Sequence, residues 1–96
     1  MVEQNPKLTP ETQVLIEKAQ SGDADAQCNL GVMYEKGKGV AQSDEKAVEY
    51  YRLAAEQGNA RGQCYLGVMY RQGKGVAQSD EKAVEYFQLA AEQGDA

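Results

Sequence analysis

At 96 residues, 42% apolar and 26% charged, the chain has the make-up of one small soluble domain with a modest core. A net charge of −5 without a clustered basic surface argues against nucleic acid as a partner, and no apolar run approaches the ~20 residues of a membrane span. Two cysteines and no histidine are too few ligands for a closed zinc site and remove the commonest general base at neutral pH, so no metal, cofactor or catalytic centre is expected.

The first residues, MVEQNPKLTPET, contain no apolar core of a secretory signal. The expectation is a cytoplasmic protein, with the periplasm or the exterior open to a chain whose leader has been removed. Residues 1–8 are expected to be loose. Thr9-Pro10-Glu11 then reads as an N-cap followed by proline at the first helical position. Val14, Leu15 and Ala19 give that helix an apolar face, and Gly22 ends it. Residues 1–21 are therefore a tail and an N-terminal capping helix.

From Gly22 the chain repeats itself. Residues 22–57, GDADAQCNLGVMYEKGKGVAQSDEKAVEYYRLAAEQ, and residues 58–93, GNARGQCYLGVMYRQGKGVAQSDEKAVEYFQLAAEQ, agree at 28 of 36 positions. Residues 94–96, Gly-Asp-Ala, begin a third copy and stop. The first copy carries seven acidic and four basic side chains, the second four of each.

Each copy predicts two helices. Over about residues 24–35, Ala26, Leu30 and Tyr34 recur at four-residue spacing with Met33 beside them, one apolar stripe. Asp23 is placed to cap this helix and Gly37 to end it in the left-handed region. Over about residues 44–57, Ala47, Tyr50, Tyr51, Ala54 and Ala55 share a face. Ser43 caps that helix, Asp44 and Glu45 suit its positive end, and Gly58 stops it. Copy two repeats the pattern with Ala83, Tyr86, Phe87, Ala90, Ala91 and Gly94. Between the helices Val40 can tuck back from the Gly37-Lys38-Gly39 turn as an apolar plug. The segment ahead of the repeats falls, by period, where a second helix would lie. A lone hairpin cannot bury its apolar face, so the copies must stack. The predicted fold is all-α: a right-handed α/α superhelix of two 36-residue helix-loop-helix repeats plus a capping helix.

AQCNLGVMYEKGKGV followed by KAVEYYRLAAEQG closely resembles the Sel-one-like repeat, a relative of tetratricopeptide repeats. Leu30, Gly31, Tyr34, Gly37, Gly39, Val40, Ala47, Tyr51, Ala54 and Ala55 fit its pattern, as do Leu66, Gly67, Tyr70, Gly73, Gly75, Val76, Ala83, Phe87, Ala90 and Ala91. The resemblance implies a scaffold for protein complexes in which the first helix of each repeat (A) lines a concave face; the second helix is B. The aromatic at Tyr51 and Phe87 is often tryptophan in that family. A cysteine-rich branch of the family bridges helices A and B. Cys28 and Cys64 match its A-helix cysteine, but Ala55 and Ala91 stand at the partner positions, so both thiols are expected to be free and buried, which points to a reducing compartment. Some members of the family were described as β-lactamase-like, which makes a hydrolase the least favoured reading.

Candidate chemistry is thin. Gly37-Lys38-Gly39 and Gly73-Lys74-Gly75 lack the spacing and the preceding strand of a phosphate-binding loop, and turn formation explains them. The pairs Asp44–Glu45 and Asp80–Glu81 sit where helix dipoles favour them. Ser21, Ser43 and Ser79 have no histidine or lysine motif to activate them. Tyr34, Tyr51 and Tyr70 read as core, with their hydroxyls at its edge.

The copies differ at positions 23, 25, 26, 29, 35, 36, 51 and 52. Positions 25, 29 and 36, with Val32 between, form one stripe on helix A, away from Leu30 and Tyr34. The stripe reads Asp25, Asn29, Val32, Lys36 in copy one and Arg61, Tyr65, Val68, Gln72 in copy two. These residues are the candidate site for a peptide or protein partner, with Arg61 and Tyr65 as anchors and the valines as exposed apolar contacts. The alternative function is self-assembly. No polar helix follows the second copy, so its last helix is expected to expose a stacking face, including Phe87 and Ala91, that pairs copies end to end.

Overall fold

The computed structural model describes residues 9–93. Residues 1–8, Gly94 as a helix stop and the start of a third copy lie outside them. Within them are five helices and no strand: α1 Pro10–Gln20, α2 Ala24–Lys36, α3 Asp44–Glu56, α4 Ala60–Gln72 and α5 Asp80–Glu92.

The helix ends follow the sequence signals. Thr9, Asp23, Ser43, Asn59 and Ser79 each accept a backbone N–H of the following first turn through a side-chain oxygen, and such a cap contributes about 1 kcal/mol. Gly37 and Gly73 end the A helices at φ 71° and φ 69°, a left-handed geometry that glycine adopts without penalty.

Consecutive helices pack in order, α1 on α2, α2 on α3, α3 on α4 and α4 on α5. The A helices α2 and α4 also touch each other, whereas α3 and α5 do not. The array therefore closes up on its A side and splays on its B side. One buried cluster joins Cys28, Ala47, Val48, Tyr51, Ala54, Leu66 and Met69 across the two repeats. A smaller one, Ala19, Ala26 and Leu30, holds α1 to the first repeat, with Leu15 and Ile16 packed against it. Val40 is buried, as its place in the loop required, and Val76 packs half-buried against the larger cluster.

Glycine makes the tight spots possible. A Cβ on Gly31 would lie 2.6 Å from the Tyr51 ring, and one on Gly67 would lie 2.7 Å from Phe87. The Leu-Gly pair of helix A is thus the seat of the helix B aromatic.

Three expectations need correction. Val14 does not belong to the apolar face of α1: it points to solvent, and Thr12 and Ala19 are the buried residues there. An eleven-residue helix that touches only α2 buries a narrow strip, and Val14 falls beyond it. Cys28 is buried but Cys64 is exposed, both as free thiols. Cys28 lies within the cluster formed where α4 stacks on α3, and no described helix follows α5 to cover Cys64. Tyr34 and Tyr70 are half-buried rather than core, each lying parallel to the tyrosine of its own helix B, Tyr34 on Tyr50 and Tyr70 on Tyr86.

Candidate functional site

The stripe lies where helical spacing placed it. Asp25, Asn29 and Lys36 of α2 and Arg61, Tyr65 and Gln72 of α4 are exposed. Val32 and Val68 are half-buried rather than exposed, and Val32 packs against the inter-repeat cluster. The valines form the floor of the strip, because α2 and α4 approach each other on this side.

The stripe residues bind one another across the repeat boundary. An Arg61 guanidinium N–H donates to Asn29 Oδ1 at 3.0 Å, and Asn59 Nδ2 donates to Asp25 Oδ1 at 3.1 Å. Tyr65 stacks on the buried Tyr51 ring at 5.1 Å between centroids, leaving Tyr65 itself 37% exposed. Arg61 and Tyr65 are thus both held in position by contacts within the fold.

The same logic covers most positions at which the copies differ. Asn59 replaces an aspartate because it must cap α4 and also donate to Asp25. Gly62 replaces an alanine because a Cβ there would lie 2.7 Å from Ala54 Cβ. Arg52, a glutamine in copy two, donates to Tyr70 Oη at 2.9 Å. Glu35 is the centre of a clasp: Tyr51 Oη donates to its Oε1 at 2.8 Å and Lys74 Nζ to its Oε2 at 3.0 Å. In copy two the corresponding pair is Arg71 with Phe87, the guanidinium 5.9 Å from the ring centroid. Only Lys36 and its counterpart Gln72 have no such account.

The clasp shifts its members. Burial pushes the Glu35 carboxyl up, but the hydrogen bonds from Tyr51 and Lys74 outweigh it and leave Glu35 below its ordinary value. Burial, and then the bond to Glu35, hold the Tyr51 phenol well above its ordinary range. Lys74 is raised by the same carboxylate. These shifts are those of a structural contact that joins Glu35 to Tyr51 within repeat one and to Lys74 of repeat two. The serines and acid pairs considered for catalysis have local roles as well: Ser43 and Ser79 are caps, while Asp44 and Asp80 accept from Gln42 and Gln78.

Hydropathy hid one pair of residues. Gln27 and Gln63 are buried in the A helices, where they donate to the Ala19 and Ala55 carbonyls of the preceding helix. Each accepts in turn from a glutamine past the next helix, Gln57 or Gln93. The available signal was a polar residue kept in both copies beside the buried stripe.

These features define a helix-hairpin solenoid whose A-helix stripe is open to solvent. The Sel1 repeat profile matches residues 24–59 and 60–95, so the chain belongs to the Sel1 repeat family, whose members generally serve as protein–protein interaction modules. It is similar to the crystal structure of a protective antigen from uropathogenic Escherichia coli strains that displays an SLR fold, with 44% identity, a TM-score of 0.82, and 83% of this chain against 17% of that one covered. It is similar also to a Sel1 repeat protein from Oxalobacter formigenes, with 38% identity, a TM-score of 0.74, and 88% and 32% covered. Cysteine rich protein B of Helicobacter pylori matches at 32% identity and a TM-score of 0.81, with 85% and 62% covered. The chain thus spans less than two thirds of each of these proteins. No curated protein sequence matches it. No helix among the described residues is long and apolar enough to cross a membrane.

Proposed function

We propose that the chain is a non-catalytic module that binds a peptide or protein segment across α2 and α4, through Asp25, Asn29, Val32, Lys36, Arg61, Tyr65, Val68 and Gln72. The observation that carries this reading is the fixed pair at its centre, Arg61 held by Asn29 and Tyr65 lying on Tyr51. Aromatic and arginine side chains dominate binding energies, and anchors already ordered lose less entropy on association. The test is a peptide selected from a display library on the wild-type chain. Arg61→Ala/Tyr65→Ala should weaken its binding about tenfold or more with helicity retained. Unchanged affinity would reject the site. A panel of hydrolase substrates is expected to give no turnover.

A second reading, end-to-end assembly, is favoured by one comparison within the chain. Val48 is 3% exposed and its counterpart Val84 is 50% exposed. Ala55 is buried where Ala91 is exposed, and Phe87 is half-exposed where Tyr51 is sealed. Light scattering over a concentration series separates the two readings: a constant monomer mass excludes assembly.

A further inference from the structure

The chain's charge is divided between its two sides. The B helices α3 and α5 carry eight carboxylates against three cations, while the A helices α2 and α4 carry two against three. Asp44, Glu45, Asp80 and Glu81 occupy first turns, where the helix dipole accounts for them. Glu56 and Glu92 have the opposite placement. Each is the last residue of its helix, at the negative end of the dipole, with no basic residue in that turn. A carboxylate there works against the helix, yet both copies keep it. The one ion pair among the described residues joins Lys74 to Glu35, so neither Glu56 nor Glu92 is neutralised within the described fold.

Both glutamates flank an apolar residue that the described core leaves unused. Leu53 and Leu89 are each 45% exposed. Helical spacing puts Glu49 four residues before Leu53 and Glu56 three after it, on the same face, and sets Glu85 and Glu92 about Leu89 in the same way. Each set lines a shallow depression, the first shared with Arg52 and the second with Gln88. Arg52, which donates to the Tyr70 hydroxyl, leaves the first row with one net negative charge, while the second row, with Gln88 in that place, carries two. The outer side therefore presents two parallel rows of glutamate, leucine, glutamate, one per repeat.

We infer that this outer B-helix side is a second docking surface, separate from the A-helix face, and that its partner is a cationic protein segment carrying apolar side chains. Lysine or arginine groups of the partner pair with Glu49, Glu56, Glu85 and Glu92, and its apolar groups seat on Leu53 and Leu89. Complementary charge of this kind speeds encounter and sets specificity, and its contribution falls with salt. Carboxylates that oppose their own helices fit the common exchange of stability for function.

The probe is a fluorescein-labelled peptide of lysines and leucines, amphipathic when helical, compared with its glutamate-for-lysine counterpart. Anisotropy should show binding of the lysine peptide only, weakening as salt rises. Loss of two exposed ion pairs should make Glu56→Gln/Glu92→Gln about tenfold weaker, and Leu53→Ala/Leu89→Ala should weaken binding as well. Amide shift mapping should place the peptide on α3 and α5. The glutamine variant should melt higher than wild type. Shifts on α2 and α4 instead, equal binding of the glutamate peptide, full affinity in the variants, or a lower melting point in Glu56→Gln/Glu92→Gln would each overturn the inference.

Discussion

Replacing Tyr51 by phenylalanine tests the clasp that Glu35 makes within repeat one and, through Lys74, with repeat two. The ring stays, as Phe87 stays in copy two, and only the hydroxyl on Glu35 is lost. A hydrogen bond to a charged group contributes roughly 1.5–3 kcal/mol. Glu35 keeps Lys74 and its side chain is 21% exposed, so water compensates in part and the lower end, about 1.5 kcal/mol, applies. In a domain of this length that corresponds to a fall in Tm of about 6–12 °C. Lys74→Met removes the other half of the clasp, a pair whose lysine side chain is 38% exposed, and should cost only about 0.5 kcal/mol. The pH dependence has a definite sign. The Glu35 carboxyl is depressed in the fold, so its contribution is present above the unfolded value of about 4.3 and is lost as pH falls through the lower folded value. Tyr51 and Lys74 are raised, so their contributions hold through neutral pH and fail only above about pH 10. Glu35→Gln should therefore be less stable than wild type at pH 7 and converge with it once pH has fallen below the depressed folded value of Glu35. Thermal and urea melts followed by circular dichroism, with the Tyr51→Phe/Glu35→Gln double variant closing the cycle, measure each quantity. A loss below about 0.5 kcal/mol for Tyr51→Phe, or a Lys74→Met loss that exceeds it, would refute the account.

Two further outcomes are expected. Gly31→Ala should destabilise by about 1–3 kcal/mol despite alanine's better helix propensity, because the added methyl meets the fully buried Tyr51 ring; Gly67→Ala should cost less, since Phe87 is half-exposed and free to shift, and parallel melts that ranked them the other way would contradict this. Titration of the native protein with a thiol reagent should modify Cys64 at once and Cys28 only on unfolding, because burial both shields the Cys28 thiol and raises it above its ordinary value; two thiols reacting together would show that the repeats part easily.

The helices were legible because caps, glycine stops and the 36-residue period all agreed, and each copy confirmed the other. The A-helix stripe was legible too, since its spacing fixes its side of the helix. Exposure within the stripe was not: Val32 and Val68 sink because α2 and α4 converge, which depends on how the repeats stack and not on either helix alone. The same holds for Cys64. Its sequence neighbourhood, Gln-Cys-Tyr-Leu-Gly, nearly duplicates that of Cys28, so no local pattern distinguishes a thiol beneath a following repeat from one at the edge of the described array. The Glu35 clasp joins residues 16 and 39 apart in the chain and is invisible to any single-helix pattern.

The eight differences between the copies take on a direction once the contacts are known. Copy one supplies Asp25, Asn29, Glu35 and Arg52; copy two answers with Asn59, Arg61, Lys74 and Tyr70. The identical residues build each hairpin and most of the core between repeats, and Lys74 and Tyr70, which match Lys38 and Tyr34, find partners because copy one holds the divergent Glu35 and Arg52 opposite them. Two strictly identical copies would present Arg61-type or Asp25-type residues on both sides of the boundary and lose this pairing. Variation at Arg61 and Asn29 is therefore accounted for by the fold before any ligand is considered. A partner on the A-helix face must gain its affinity from what the inter-repeat contacts leave over: the open face of Tyr65, the unused guanidinium N–H groups of Arg61, and Lys36, an exposed divergent residue of the stripe. Lys36→Ala is for that reason the substitution that separates recognition from architecture, since it should leave the unfolding free energy within about 0.5 kcal/mol of wild type while lowering affinity for a segment bound there.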